Sequence, residues 1–163
     1  AKPLNIEDFQ PWCTTPLYDA MGMTLTGMHK QVQGMKDALV VVTIITDGME
    51  NASREYNGKT IKELVERQRG EGWTFTYMGA NQDSVEVAMS MSIRNARNFD
   101  YSNEGTRASM QKDSSTRMNL FGRLAKWKTA EMKGCCAVPA SESERRNLYA
   151  NMADEAFDEE ENK

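Results

Sequence analysis

Ala38-Leu39-Val40-Val41-Val42-Thr43-Ile44-Ile45, closed at once by Thr46-Asp47-Gly48, is the stretch on which the fold turns. It is short, rich in β-branched residues, and apolar on both of its alternating faces. A half-exposed strand alternates apolar and polar positions; this one does not, so both faces must be covered. That is the pattern of a central strand in a parallel sheet with helices above and below. An aspartate and a glycine directly after such a strand lie where parallel sheets carry their ligands, beyond the carboxyl ends of the strands.

Working outward, Ala1 to Cys13 reads as an irregular lead-in interrupted by Pro3 and Pro11. Thr14-Thr15-Pro16 reads as a helix start, with threonine as cap and proline in the first turn. Leu17, Met21, Leu25, Met28, Val32 and Met35 then form one apolar stripe at helical spacing, weakened by Gly22 and Gly27 and stopped near Gly34. This methionine-rich stripe is read as core packing.

On the other side, Thr60-Ile61-Lys62-Glu63 has the form of a capping box. The helix it opens presents Ile61, Leu64, Val65 and Gln68 and ends at Gly70 or Gly72. Trp73 to Gly79 is a second strand with Trp73, Phe75 and Tyr77 on one face, and Gly79-Ala80-Asn81 its turn. Asp83 caps a short helix presenting Val85, Ala88 and Met89, and a third strand is expected over Asn95 to Phe99. A last helix, Glu104 to Lys128, has Met118, Phe121, Leu124 and Trp127 as its apolar positions. Residues 134–163 read as a linker and a largely disordered acidic tail, with a helical turn near Arg145 to Met152, leaving 1–133 as the folded part. Alternating helices and strands give an α/β, Rossmann-like parallel sheet flanked by helices.

Composition narrows the function. A chain of 163 residues suits one domain. Its net charge of −4 is concentrated at one end: Asp154 to Lys163 holds six acids and one lysine, leaving 19 basic and 18 acidic residues elsewhere. The tail is read as solvated, and the mildly basic stretch Lys112 to Lys133 as a solvated helix face; no nucleic-acid partner is expected. No apolar run is long enough to span a bilayer and no secretory leader opens the chain, so the expectation is a cytoplasmic protein without a membrane partner. Cys13, Cys135 and Cys136 make no disulfide framework or zinc spacing and read as free thiols. His29, the single histidine, falls inside a helix as a structural or solvent-facing residue. Asn51-Ala52-Ser53 has the form of a glycosylation sequon and is read as coincidence.

Asp47 offers hard oxygen ligands suited to Mg²⁺, Mn²⁺ or Ca²⁺, although most Asp-Gly pairs are simple turns. A threonine hydroxyl at the start of a helix caps that helix or coordinates a hard cation, and from residues alone capping is favoured. Together, Thr14-Thr15-Pro16-Leu17-Tyr18-Asp19-Ala20 and the strand ending Thr46-Asp47-Gly48 resemble the von Willebrand factor A fold. Thr46 to Glu55 and Tyr77 to Asp83 resemble a bacterial and phage branch of it, and the resemblance covers about Pro11 to Met110.

The resemblance implies a metal-ion-dependent adhesion site in which Thr15 and Asp47 are metal ligands, with Thr14, Thr46, Gly48 and Glu50 beside them and Asp19 in the first helical turn. It also implies an Asp-x-Ser-x-Ser motif after a leading strand, and no such motif occurs here. The chain is therefore expected to correspond to the later, C-terminal portion of such a domain. Two protein ligands are few for a hard cation, so metal binding by this chain alone is expected to be weak or absent. The strand at Val40 to Ile45 is expected to leave an edge for a protein partner, a second copy or another segment to cover.

The function these expectations favour is a protein-interaction module that takes a partner's carboxylate through a divalent metal. The alternatives are an assembly protein with a vestigial metal site and a Mg²⁺-dependent phosphoryl-transfer enzyme using Asp47 and Glu50. No Gly-x-Ser-x-Gly, Walker A or Gly-x-Gly-x-x-Gly motif supports catalysis.

Overall fold

The structure, a computed structural model, describes residue 5 and residues 14–35, 37–80 and 83–161. Among the described residues eight elements follow in order: α1 (Leu17–Val32), β1 (Val41–Thr46), α2 (Gly58–Gly70), β2 (Thr74–Ala80), α3 (Ser84–Ser90), β3 (Asn95–Phe99), α4 (Asn103–Met132) and α5 (Glu142–Glu161). The strands form one parallel sheet in the order β1-β2-β3, with Val41 opposite Thr74 and Thr76 opposite Asn95. Every residue of β2 is buried, as a central strand covered on both faces requires. The chain has the Rossmann-like α/β architecture. The expected lead-in, Ala1 to Cys13, lies outside the described residues except for Asn5, and Asn81 and Cys13 lie outside them too.

The two faces of the sheet differ in chemistry. On one, Leu17, Met21 and Leu25 of α1, Ile61 and Val65 of α2, and Ala88 of α3 pack on Ile44, Phe75 and Tyr77. This is the main apolar core. On the other face, Leu120 of α4 and Ala153 and Ala156 of α5 meet Leu39 and Val41, but the neighbours are polar. Thr74, Thr76, Arg97, Asp113 and Thr116 are all buried there. Arg117 ties α4 to the sheet, its Nε donating to Asp113 (2.7 Å) and its Nη2 to the Thr43 hydroxyl (2.5 Å).

Three sequence expectations about helices α2, α3 and α4 give way to local physics. The capping box of α2 sits one turn earlier, with Asn57 as cap and Thr60 as its reciprocal partner, because Asn57 accepts from Thr60 N (3.0 Å) and Thr60 Oγ1 accepts from Asn57 N (2.9 Å). In α3 the buried positions are Ser84 and Ala88, while Val85 and Met89 face solvent; Asp83 does cap it. In α4, Met118 and Phe121 are 72% and 56% exposed, and the buried side is Asp113, Thr116 and Leu120. A search for apolar spacing fails where the face beneath is polar.

The largest difference is at the C-terminal end. Where a disordered acidic tail was expected from 134, α5 runs for 20 residues and buries Tyr149, Ala153, Ala156 and Phe157. Its acids meet the basic face of α4: Arg123 pairs with Glu155 (3.0 Å) and with Glu159, so the two charge-biased stretches neutralise each other. Asp37, in a left-handed conformation (φ 63°), receives Lys128 Nζ (2.7 Å) and the Tyr149 hydroxyl, fastening both helices to the start of β1. Arg145 lies over the Trp127 ring (5.3 Å) and donates to both Glu131 oxygens.

Candidate functional site

β1 ends at Thr46, and the chain must turn to leave the sheet. Thr46 Oγ1 donates to the Gly48 carbonyl (2.9 Å) and accepts from Gly48 N (3.3 Å), closing that turn around Asp47. Thr46 is buried and Asp47 exposed, so the sequence places a fixed hydroxyl next to a solvent-facing carboxylate. Gly48 does not have a positive φ. Its constraint is space: a Cβ there would lie 2.9 Å from Thr15 Oγ1. The Thr15 hydroxyl therefore sits against the turn that carries Asp47, and the two segments singled out from the sequence meet.

Thr14 and Thr15 do not cap α1. The cap position is Pro16, without a side-chain cap bond. The free amides of the first turn are met instead from the loop after β1: Glu50 Oε2 accepts from Tyr18 N (2.8 Å) and Ser53 Oγ from Asp19 N (3.0 Å). A proline at the cap has no side-chain acceptor, so the acceptors come from elsewhere. Asn51 completes the clasp, its Oδ1 accepting from Thr15 N (2.8 Å) and its own N donating to the Thr15 carbonyl (3.2 Å). Thr14 is exposed and makes no cap.

Glu50 is the centre of this clasp. Besides Tyr18 N, it accepts from Ala52 N (2.9 Å), Ser53 N (2.8 Å) and Ser53 Oγ (2.7 Å). Burial by itself would raise its pKa, but the donors of Ser53, Tyr18 and Ala52 outweigh burial and hold the carboxyl below its ordinary range. Asp19 works in the opposite direction along the chain. Its carboxylate accepts from Arg54 N (2.8 Å), Glu55 N (2.9 Å) and Tyr56 N (2.8 Å). The Arg54 amide most of all, with those of Tyr56 and Glu55, lowers its pKa against a smaller opposing effect of burial. Helix and loop thus cap each other through two carboxylates.

Chemically, the arrangement leaves the Asp47 carboxylate and the Thr15 hydroxyl as hard oxygen donors at the loop surface. The Glu50 oxygens are committed to the clasp. Among the described residues no three of His, Cys, Asp or Glu converge on one point. A cation here would rest on one carboxylate, hydroxyl oxygens and water. The donors are of the right kind for Mg²⁺ and short in number. Asn51, Ser53 and Asp19 as partners in the clasp were not foreseen; the polar run from Glu50 to Asn57 was the only signal.

The remaining candidates fall elsewhere. His29 lies beside Glu71 (Nδ1 to Oε2 3.2 Å) and the Trp73 ring. Cys135 and Cys136 are free thiols. No helix among the described residues is long and apolar enough to cross a membrane. No known protein family, curated protein or solved structure matches the chain.

Proposed function

We propose that this chain is a protein-interaction module of the von Willebrand factor A type, which takes a carboxylate of a partner protein through a divalent cation, Mg²⁺, Mn²⁺ or Ca²⁺. Thr15 and Asp47 supply its protein ligands here, and Thr46, Gly48 and the Glu50 clasp hold them in place. The observation that carries the reading is the Thr15 hydroxyl against Gly48, with no cap bond to occupy it. A bound cation would supply positive charge for the partner's carboxylate; the chain's own residues orient the two donors and keep the loop rigid.

Two donors imply weak binding, with a Kd on the order of 1 mM. Titration with Mn²⁺, followed by paramagnetic broadening of amide resonances, is expected to broaden Thr15, Asp47 and Gly48 first. Asp47→Ala should abolish that selectivity. Broadening centred elsewhere, or unchanged in Asp47→Ala, overturns the assignment.

A second reading, an assembly protein with a vestigial metal site, is favoured by the commitment of Glu50, Asn51 and Ser53 side chains to the clasp. The two separate by chelation: association with a partner that survives EDTA belongs to the second. Under either reading, the edge of β1 that faces away from β2, which pairs with no other strand among the described residues, offers backbone groups for a partner strand or a second copy.

A further inference from the structure

We infer a second binding site, unrelated to the Asp47 loop, for a small polyhydroxylated anion of the sugar-phosphate class. It is a cavity of about 400 Å³ at the amino-terminal ends of β2 and β3, the opposite end of the sheet from Thr46-Asp47-Gly48. That volume is within the range of small-molecule pockets, which start at roughly 300 Å³.

The chemistry of its walls selects the ligand. Arg69, from the last turn of α2, and Arg94, just before β3, both line it. Arg69 uses one guanidinium nitrogen on the Ser92 carbonyl (2.7 Å), and among the described residues neither arginine meets a carboxylate. The one acid in the wall, Asp154, accepts from Asn95 Nδ2 (3.3 Å). The lining is therefore net positive within a chain of net charge −4. Guanidinium donors in a fixed fork match the oxygens of a phosphate.

The rest of the wall asks for hydroxyls. Asn147 and Asn151 are four residues apart on α5, so both amides face the cavity from one side of the helix. Thr74 is 3% exposed, and its hydroxyl has no hydrogen-bond partner among the described residues. A buried hydroxyl left unpaired costs about 1 to 3 kcal/mol, so a group that pairs with it on entry gains that difference. Carboxamides offer both donors and acceptors, which sugar hydroxyls can answer together. A bare anion would leave the amide oxygens unmatched; a neutral sugar would leave the net positive charge of the wall unanswered.

Calorimetric titration of the full chain with glucose 6-phosphate, inorganic phosphate and glucose tests this, with tryptophan fluorescence as a second signal because Trp73 lines the cavity. Glucose 6-phosphate is expected to bind saturably below about 10 mM, and phosphate and glucose each roughly ten-fold more weakly or not at all. Arg94→Ala and Asn151→Ala, both at exposed positions, should each weaken binding roughly ten-fold without lowering the thermal midpoint. Absence of saturable binding, or binding unchanged in both variants, overturns the site. Phosphate binding as tightly as the sugar phosphate overturns the role of Asn147, Asn151 and Thr74, and glucose doing so overturns that of the arginines.

Discussion

Gly22 and Gly27 occupy the same helix and meet opposite surroundings. The Tyr56 ring lies flat on Gly22, where any Cβ would enter the ring, whereas a Cβ at Gly27 meets nothing within 4 Å. Alanine at either position gains about 1 kcal/mol in helix propensity. At Gly27 that gain stands alone, and Gly27→Ala should raise stability by up to about 1 kcal/mol in a denaturant titration. At Gly22 displacing a packed ring costs about 1 to 3 kcal/mol, so Gly22→Ala should lower stability despite the better propensity. Glu50 poses the sharper residue-scale question. Glu50→Gln turns two acceptors into one acceptor and a donor facing other donors, and should cost about 1 to 3 kcal/mol. The pH dependence follows from the sign of the shifts. Glu50 and Asp19 are held below ordinary values of 4.5 and 3.8, so the folded state binds these protons less readily than the unfolded chain. Their stabilisation is complete above the ordinary values and is lost as pH falls through the lowered ones. Thermal midpoints measured from about pH 6 to pH 2 should fall over that window, and less steeply in Glu50→Gln. A midpoint in that variant with an unchanged acid slope would exclude Glu50 as a contributor.

Among the elements, β1 was legible from its β-branched apolar run and β2 from the alternation of threonine with Phe75 and Tyr77, whereas Asn95–Phe99 of β3 carries no β-branched residue and was legible only from the alternation of strands with helices. α5 was not. Its surface is acidic enough to resemble a solvated tail, and its buried residues, Tyr149, Ala153, Ala156 and Phe157, include two alanines that carry little signal. What fixes it is tertiary: the Trp127 ring meets Tyr149 edge-on at 5.9 Å, and Arg123 waits on α4 for Glu155 and Glu159. Tyr149→Ala should therefore destabilise the whole fold by about 3 kcal/mol, read as a shift in denaturant midpoint. A solvated tail would give no shift. The site was half legible for a related reason. Thr15 and Asp47 stand in recognisable local strings, but the clasp joins residues 32 to 37 positions apart, and no local pattern announces that Glu50 caps a helix it does not belong to.

At the scale of the molecule, the sheet is asymmetric. β2 is paired on both sides, while among the described residues β1 pairs only with β2. β1 carries no charge and no proline, the usual guards of a free edge, and Ile45 on it is 47% exposed. If this edge pairs with a second copy, as proposed, sedimentation velocity shows association that grows with concentration, and Ile45→Lys should suppress it while leaving the circular dichroism unchanged. If association persists unaltered, it does not use this edge. The mutual capping of α1 and the loop has a consequence in time as well as in space. A ribosome delivers the chain from its amino end at about 5 to 20 residues per second, and Glu50 follows Tyr18 by 32 positions. For roughly 2 to 6 s, then, the leading amides of the nascent first helix have water in place of the Glu50 carboxylate. It is a provisional coil of turns until translation supplies the carboxylate that finishes it.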